Sequence, residues 1–530
     1  MSLFACLSGS SFAQSNADDE VDVFVAEVGS PSQLGREGSY PTGRVGLSFL
    51  TTICNQGQKR LDWYGPMDDR HPFICFVIAR ESDGRMVQIS DRSYVKHGIV
   101  AANSTLCGSC SEPFGNLLGL GCSDTYSTGL NGDRYTLGPP SEIDPWLGVW
   151  DRQCSLFDRG FPAVGGAAAC DENRSLTGFM ADNNFGPVGN RIEINDVELD
   201  VSGADYYAMT YYVVETEADK VRDDNMGVQK FNVSRFGNNW SFSNTGPLEL
   251  GTVLEQWSGA TVTSNSNGKD DGRVYVAVKV TEPTPGTYHY EYAFHNRDNG
   301  RGIGEISIPV CPEATISNLG FKDVDEDGTN DWSAVVAKGA LNVSQNNGNA
   351  LEWNTIYNVW FDSDAAPEPA SLDLVEFRAG AGAPDFAVTA VAPTGIFSRR
   401  LPSTCGGAPD LTANGRATLG NAGFELTTTG NTPGARNVLL VGFGPATSYG
   451  RIGCTLWSGA SARSISVARS DGAGTAVHAL PIPNQVSLEG IDLVLQCAEA
   501  QTVAGPRNSR SVTLSDGLLI RLGNSSAGCP

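Results

Sequence analysis

The run Asp323-Val-Asp325-Glu-Asp327-Gly328-Thr-Asn-Asp331 carries the strongest chemical signal in this chain. Carboxylates at positions one, three, five and nine, with glycine at six, match the front of an EF-hand or thrombospondin-type calcium loop. Calcium is a hard cation that takes about six to eight oxygens, and alternate aspartates turn theirs inward while the glycine allows the sharp bend. Position twelve of an EF-hand holds a bidentate glutamate; here it is Ala334. Asp331 or a remote acid must then close the shell. The expectation is a calcium site at Asp323, Asp325, Asp327 and Asp331; the plain alternative is a solvated Asp-rich turn.

A second candidate lies in Tyr288-His-Tyr-Glu-Tyr-Ala-Phe-His295, which alternates strictly. Read as a strand, Tyr288, Tyr290, Tyr292 and Phe294 share one face and form a core. His289, Glu291, Ala293 and His295 share the other, facing solvent or a cleft. His289 and Glu291 would stand ~6.5–7 Å apart, a spacing for two ligands of one metal or an acid–base pair. Ordinary polar residues on an outer sheet face have the same pattern. His71 and His97 flank apolar runs and read as structural. Cys107-Gly-Ser-Cys110 has redox spacing, but no second CxxC or βαβ pattern accompanies it, so structural disulfides are expected. The chain has no Gly-x-Ser-x-Gly elbow, phosphate loop or dinucleotide fingerprint. Pro367-Glu-Pro-Ala-Ser-Leu372 reads as a linker turn.

The elements that must hold these residues are strands. Short runs of Val, Ile, Tyr, Phe and Thr recur between Gly, Asn, Asp and Pro clusters, and helical periodicity is nearly absent. Leu351, Trp353, Thr355, Tyr357, Val359 and Phe361 alternate as the tyrosines do. The predicted class is all-β, with several domains of disulfide-bonded antiparallel sandwiches. The predicted divisions are an export leader over 1–13, a cysteine-rich loop and β region over 14–190, a β-sandwich region with the calcium-type loop over 191–396, and a C-terminal immunoglobulin-like sandwich over 404–530. Expected strands in the last include Gly423–Thr429, Asn437–Gly442, Ala476–Leu480, Ile491–Gln496 and Gly517–Leu522.

The leader rests on a short apolar run before Ser11-Phe12-Ala13, a small-x-small cleavage pattern. The basic segment that ordinarily opens a leader is absent, which predicts a truncated start. Leu3-Phe4-Ala5-Cys6 also has the form of a lipoprotein cleavage box, but little apolar sequence precedes Cys6. Removing Cys6 leaves twelve of the 13 cysteines, an even number that predicts disulfides throughout and pairing among Cys405, Cys454, Cys497 and Cys529. No stretch reaches the ~20 apolar residues of a membrane span. A net charge of −24 repels nucleic acid phosphates and anionic lipid.

The stretches Ala417-Thr-Leu-Gly-Asn, Cys454-Thr-Leu, Leu480-Pro-Ile-Pro-Asn and Leu514-Ser-Asp-Gly-Leu-Leu resemble a C-terminal β-domain that recurs in large secreted proteins of planctomycetes and similar bacteria. Upstream, Lys96-His97-Gly98, Gly121-Cys-Ser-Asp-Thr-Tyr126, Tyr290-Glu-Tyr-Ala293 and Leu351-Glu-Trp-Asn-Thr-Ile-Tyr-Asn358 resemble an uncharacterised family from the same organisms. The resemblance implies export and β architecture and no particular activity. The functional expectation is an extracellular or cell-surface structural, assembly or adhesion protein, with self-association or extracellular polysaccharide as partners. Two alternatives stand beside it: a secreted enzyme acting on extracellular polymers such as polysaccharides, and a carbohydrate-binding protein.

Overall fold

A computed structural model describes residues 20–160, 170–268, 272–284, 287–311, 314–395, 398–405, 408–414, 417–443, 447–449, 454–459, 462–503 and 509–523. The leader expectation over 1–13 lies outside the described residues. The chain is all-β, and its paired strands are antiparallel throughout.

Phe73-Ile-Cys-Phe-Val-Ile-Ala79 shows why the first unit folds as it does. A strand buried on one face alternates; this run is apolar at every position because both of its faces are covered. Ile74, Phe76 and Ile78 enter one core with Val23, Val45, Phe49 and Trp63. Phe73, Cys75, Val77 and Ala79 enter a second with Met209, Trp150, Phe157 and Trp257. The run belongs to the strand Phe73–Ser82, which lies beside Val95–His97 on one side and Asp205–Val213 on the other. Met226–Phe236 and Asn239–Leu250 continue the sheet. Smaller sheets close the first core: Val23–Val28 with Thr51–Asn55 and Ser123–Tyr126, and Ser32–Glu37 with Arg44–Ser48 and Ile192–Asn195.

The division expected at residue 190 therefore falls inside this unit. Ile192–Asn195 pairs with Arg44–Ser48, and Asp205–Val213 pairs with Phe73–Ser82. Strand partners are chosen over more than a hundred residues of chain, and no local composition change marks that choice.

The second unit stacks two five-stranded sheets. One orders Thr261–Ser266, Arg273–Thr284, Thr287–Asn296, Thr355–Ser363 and Ile316–Lys322; the other orders Ser333–Ala337, Ala340–Ser344, Ile303–Pro309, Ala366–Glu376 and Asp385–Gly395. Tyr290, Tyr292 and Phe294 fill the space between them with Tyr357, Val359 and Phe361, as their alternation predicts. Pro367–Leu372, expected as a linker turn, lies within the strand Ala366–Glu376. Of the alternation expected from Leu351 onward, Leu351, Tyr357, Val359 and Phe361 enter this core, and Trp353, beside Asn354, departs from it. Asn354 has left-handed backbone (φ 59°), and before it Trp353 turns into the core shared with the first unit. Asparagine tolerates that conformation because its short polar side chain bonds locally.

The third unit has a core of its own, built from Leu411, Phe424, Leu426, Leu439, Leu495, Leu518 and Ile520 among others. Its five-stranded sheet orders Ser398–Leu401, Ser509–Arg521, Asp492–Val503, Arg436–Gly442 and Arg463–Arg469; a three-stranded sheet of Asp410–Ala413, Glu425–Thr429 and Ala476–Ala479 faces it. The first strand begins a few residues before 404.

Four disulfides join Cys54 to Cys107, Cys110 to Cys122, Cys154 to Cys170 and Cys405 to Cys454. Cys311 is disulfide-bonded as well. Cys107 and Cys110 thus serve two separate bonds. The expectation of disulfides throughout fails at Cys75 and Cys497, which are free and buried. Both sit mid-strand with their sulfurs in hydrophobic cores, where cysteine packs as a small apolar side chain. Burial pushes the Cys497 thiol up to about 12 and raises that of Cys75 further, so neither supplies thiolate at neutral pH.

Candidate functional site

The acidic loop crosses between the two sheets of the second unit, from Ile316–Lys322 to Ser333–Ala337. Its aspartates build successive Asx turns. Asp323 Oδ1 accepts the Asp325 amide (3.1 Å), Asp325 Oδ1 that of Asp327 (2.7 Å), and Asp327 Oδ1 that of Thr329 (3.1 Å). The second oxygens are engaged too: Asn349 Nδ2 donates to Asp323 Oδ2 (2.6 Å) and Asn330 Nδ2 to Asp325 Oδ2 (3.2 Å). Trp332 anchors the far end, stacked on Phe321.

Asp323 is buried, and burial raises its pKa, with the charges of Asp325 and Asp331 adding to the rise. Asp327 is turned away to Thr329, whose hydroxyl and amide lower its pKa. The donors are all hard oxygens, as calcium requires. To close on a cation, Asp323 and Asp325 must release the amides of Asn349 and Asn330. Among the described residues no group of three or more His, Cys, Asp or Glu is arranged to hold a metal ion.

The face of His289, Glu291 and His295 packs largely against the first unit, with Glu291 and His295 buried and His289 partly exposed at its end. His289 lies between two carboxylates, with Nε2 2.8 Å from Glu291 Oε1 and Nδ1 against Asp362. Burial lowers its pKa, but the hydrogen bonds to Glu291 and Asp362 outweigh burial and raise it. Arg85 of the first unit donates Nε to Glu291 (2.6 Å), and its guanidinium lies 3.5 Å over the Trp360 ring. With both ring nitrogens engaged, His289 acts as a cationic staple. His295 is elsewhere: it is buried against Thr252 and Tyr275, and burial lowers it to about 3. Asp362 has no motif to single it out, although the alternation through Phe361 places it on the His289 face, where the register pairs the two.

His71 and His97, read separately as structural, meet as a pair with 2.9 Å between Nε2 and Nδ1. Phe73, Trp150 and Phe157 enclose them, and burial lowers both pKa values. Lys96 beside them is fully buried, donates to the His97 carbonyl (2.7 Å), and is lowered by burial to about 7.

A buried charge cluster lies where the first two units meet. Arg297 and Asp298 are both fully buried. Asp298 Oδ2 accepts from Arg222 Nη1 (3.1 Å) and Tyr211 OH (2.9 Å), and Oδ1 accepts the Arg273 amide (2.8 Å). Arg297 Nη1 donates to Asp223 (2.9 Å), and Nη2 reaches Asp219 and Asp298. A cleft of about 390 Å³ opens beside this cluster, lined by residues including Trp146, Leu147, Glu217, Asp219 and Arg222.

Glu217 at the cleft is buried and accepts the Val23 amide (2.9 Å) and an Asn225 amide hydrogen. Burial raises its pKa to about 8. A raised carboxyl stabilises least when it must ionise, so stability is lost as pH rises from about 4.3, the unfolded value, towards 8. Glu217→Gln does not titrate, and Asn225 can turn its unpartnered Oδ1 to the new amide. The variant is expected to gain on wild type by about 3–5 kcal/mol between pH 4.5 and 8.5, since each tenfold change in proton affinity is worth about 1.4 kcal/mol. Urea melts across that range check this; parallel curves would refute it.

No protein-family model matches the chain, and no curated protein matches it. Among solved structures it is similar to a variant of BcpA, the major pilin subunit of Bacillus cereus, at 12% identity over 62% of this chain and 86% of that one, with TM-score 0.19. The unaltered BcpA gives 11% identity over 62% and 84%, with TM-score 0.19. A tetra-tandem repeat from the extending region of a large adhesion protein gives 7% identity over 94% and 74%, with TM-score 0.13. Similarity this low transfers no role to this chain.

Proposed function

We propose that this chain is an extracellular structural or adhesion subunit, part of a matrix, surface layer or filament, whose β units are stiffened by calcium at Asp323, Asp325, Asp327 and Asp331. The observation that carries the reading is the way successive β units are fastened. A shared core and buried ion pairs hold the first two units as one body, and disulfides brace the first from within, as suits a part that bears load outside the cell. The test is the state of the native protein in the cells that make it. Recovery in calcium-dependent polymers or attached to the cell surface is expected; recovery only as a dispersed monomer overturns the reading.

The calcium element is separable. A cation relieves the repulsion among Asp323, Asp325 and Asp331, and binding at a hundredfold excess over Kd adds about 2.7 kcal/mol. Chelation is expected to lower the melting temperature, Asp325→Ala to remove most of that response, and magnesium to substitute poorly because it demands tight octahedral geometry. Identical melting with calcium and with chelator leaves the loop a solvated turn.

A further inference from the structure

A row of unpaired backbone groups on an exposed edge strand is a template for another strand, and proteins blunt such edges. In the second unit, two edges are dealt with. Asp385–Gly395 is capped from the facing sheet, where Thr263 Oγ1 and Asn265 Nδ2 donate to the carbonyls of Thr389 and Ala387. Ile316–Lys322 carries a register bulge, a left-handed Asn318 and a lysine.

Ser333–Ala337 is different. It pairs with Ala340–Ser344 in unbroken register and forms the outer edge of its sheet. It reads Ser-Ala-Val-Val-Ala, and Val335 and Val336 are 62% and 48% exposed. The residues before it are the exposed acids Asp325, Glu326, Asp327 and Asp331.

The third unit carries the opposite edge. Arg463–Arg469 is outermost in its five-stranded sheet and reads Arg-Ser-Ile-Ser-Val-Ala-Arg. Ile465 and Val467 are 47% and 51% exposed. Exposed arginines stand at both ends, and Arg436 faces Arg469 across the ladder. The nearby Asp471 carboxylate is engaged in its own turn by the amides of Ala473 and Thr475. Two arginines on the edge strand and a third beside them on its neighbour make a basic patch in a chain of net charge −24.

We infer that copies of this chain join head to tail, the Arg463–Arg469 edge of one adding to the Ser333–Ala337 edge of the next. This rests on the assembly reading above and names the surface it would use. Run antiparallel, the acids before Ser333 meet Arg469 and Arg436. In either direction Lys338 meets an arginine: Arg463 alone when the strands run antiparallel, the Arg469 and Arg436 pair when they run parallel, so charge favours the antiparallel arrangement. The two edges lie on different units and are not self-complementary, so the contact is heterologous and propagates.

Sedimentation of the full chain with calcium, over a range of protein concentrations, tests this. Wild type is expected to form a series of oligomers that shortens as salt is raised. Val335→Lys and Val467→Lys each spoil one edge and leave the other. Each alone is expected to stay monomeric, with self-association weakened about tenfold or more by the desolvated lysine. Mixed in equal amounts they are expected to form dimers and nothing longer, because only one intact pair of edges remains. Unchanged melting of each variant confirms that it is folded. A variant that assembles like wild type overturns the inference, as does a mixture that stays monomeric. Wild type that is monomeric throughout also overturns it, while the assembly reading is then judged separately on the native material.

Discussion

Arg297→Ala is expected to destabilise the joined first and second units by about 3–5 kcal/mol, the range for breaking a buried ion pair from one side. The guanidinium reaches Asp219 and Asp223 in the first unit and Asp298 in the second, with no exposed surface. Burial raises the Asp298 pKa, but Arg297 and Arg222 outweigh it and hold the carboxyl below the usual carboxylate range. Truncation leaves a buried carboxylate with one arginine in place of two. A carboxyl lowered in the folded state contributes stability above its unfolded pKa of about 3.9 and loses it as pH falls through the folded value. The deficit of the variant is therefore largest at neutral pH and shrinks in acid. Lysine is not expected to rescue it, since a point charge cannot reach three carboxylates as the planar fork does. Denaturant titration at pH 7 and pH 3 reads both effects. A variant within about 1 kcal/mol of wild type at pH 7 would show the cluster to be energetically neutral.

Trp353→Ala is expected to cost about 3–5 kcal/mol and to uncouple the first two units. Trp353 is carried by the second unit and buried in the core that the two units share, where its Nε1 donates to the Pro140 carbonyl of the first (3.2 Å). The residues after it continue the seam. Asn354 Nδ2 donates to the Phe76 carbonyl, the Ile356 amide to Gln88 Oε1, and Asn358 Nδ2 to the Met86 carbonyl. Removing the indole opens a cavity at the point where these bonds begin. Calorimetry of wild type should show one transition for the joined units and another for the third unit, whose main core draws on no residue before Leu411. In the variant the first should split into two while the last stays in place. A single shifted transition would mean that the seam holds without the tryptophan.

These effects turn on contacts that no sequence pattern shows, and the reason is physical. Alternation is local, so it assigns Tyr290, Tyr292 and Phe294 to a core without reference to any fold, and they occupy one. The aspartates of 323–331 make a turn by bonding amides two residues on, also a local matter. In the third unit Glu425–Thr429, Arg436–Gly442 and Ala476–Ala479 lie close to where the pattern places them, while Asp492–Val503 and Ser509–Arg521 run well beyond the expected stretches.

What covers a face is not local. Alternation leaves the polar face of His289 to solvent or a cleft, yet Arg85, 206 residues away, lies against Glu291 there. Arg297 and Asp298 sit in Asn-Arg-Asp-Asn-Gly, a polar run that no motif marks, yet both are fully buried, bonded to Asp219, Asp223 and Arg222 of the first unit. Cys75 belongs to an even set of cysteines, but a thiol forms a disulfide only when a partner sulfur is brought within reach, and a strand interior between two cores brings none. Which residues form strands, and which face of a strand is apolar, can be read from the chain because neighbouring residues settle both. Which strands share a sheet, which charges are buried and which edges stay open are settled only on folding, because they depend on segments brought together from a hundred or more residues apart.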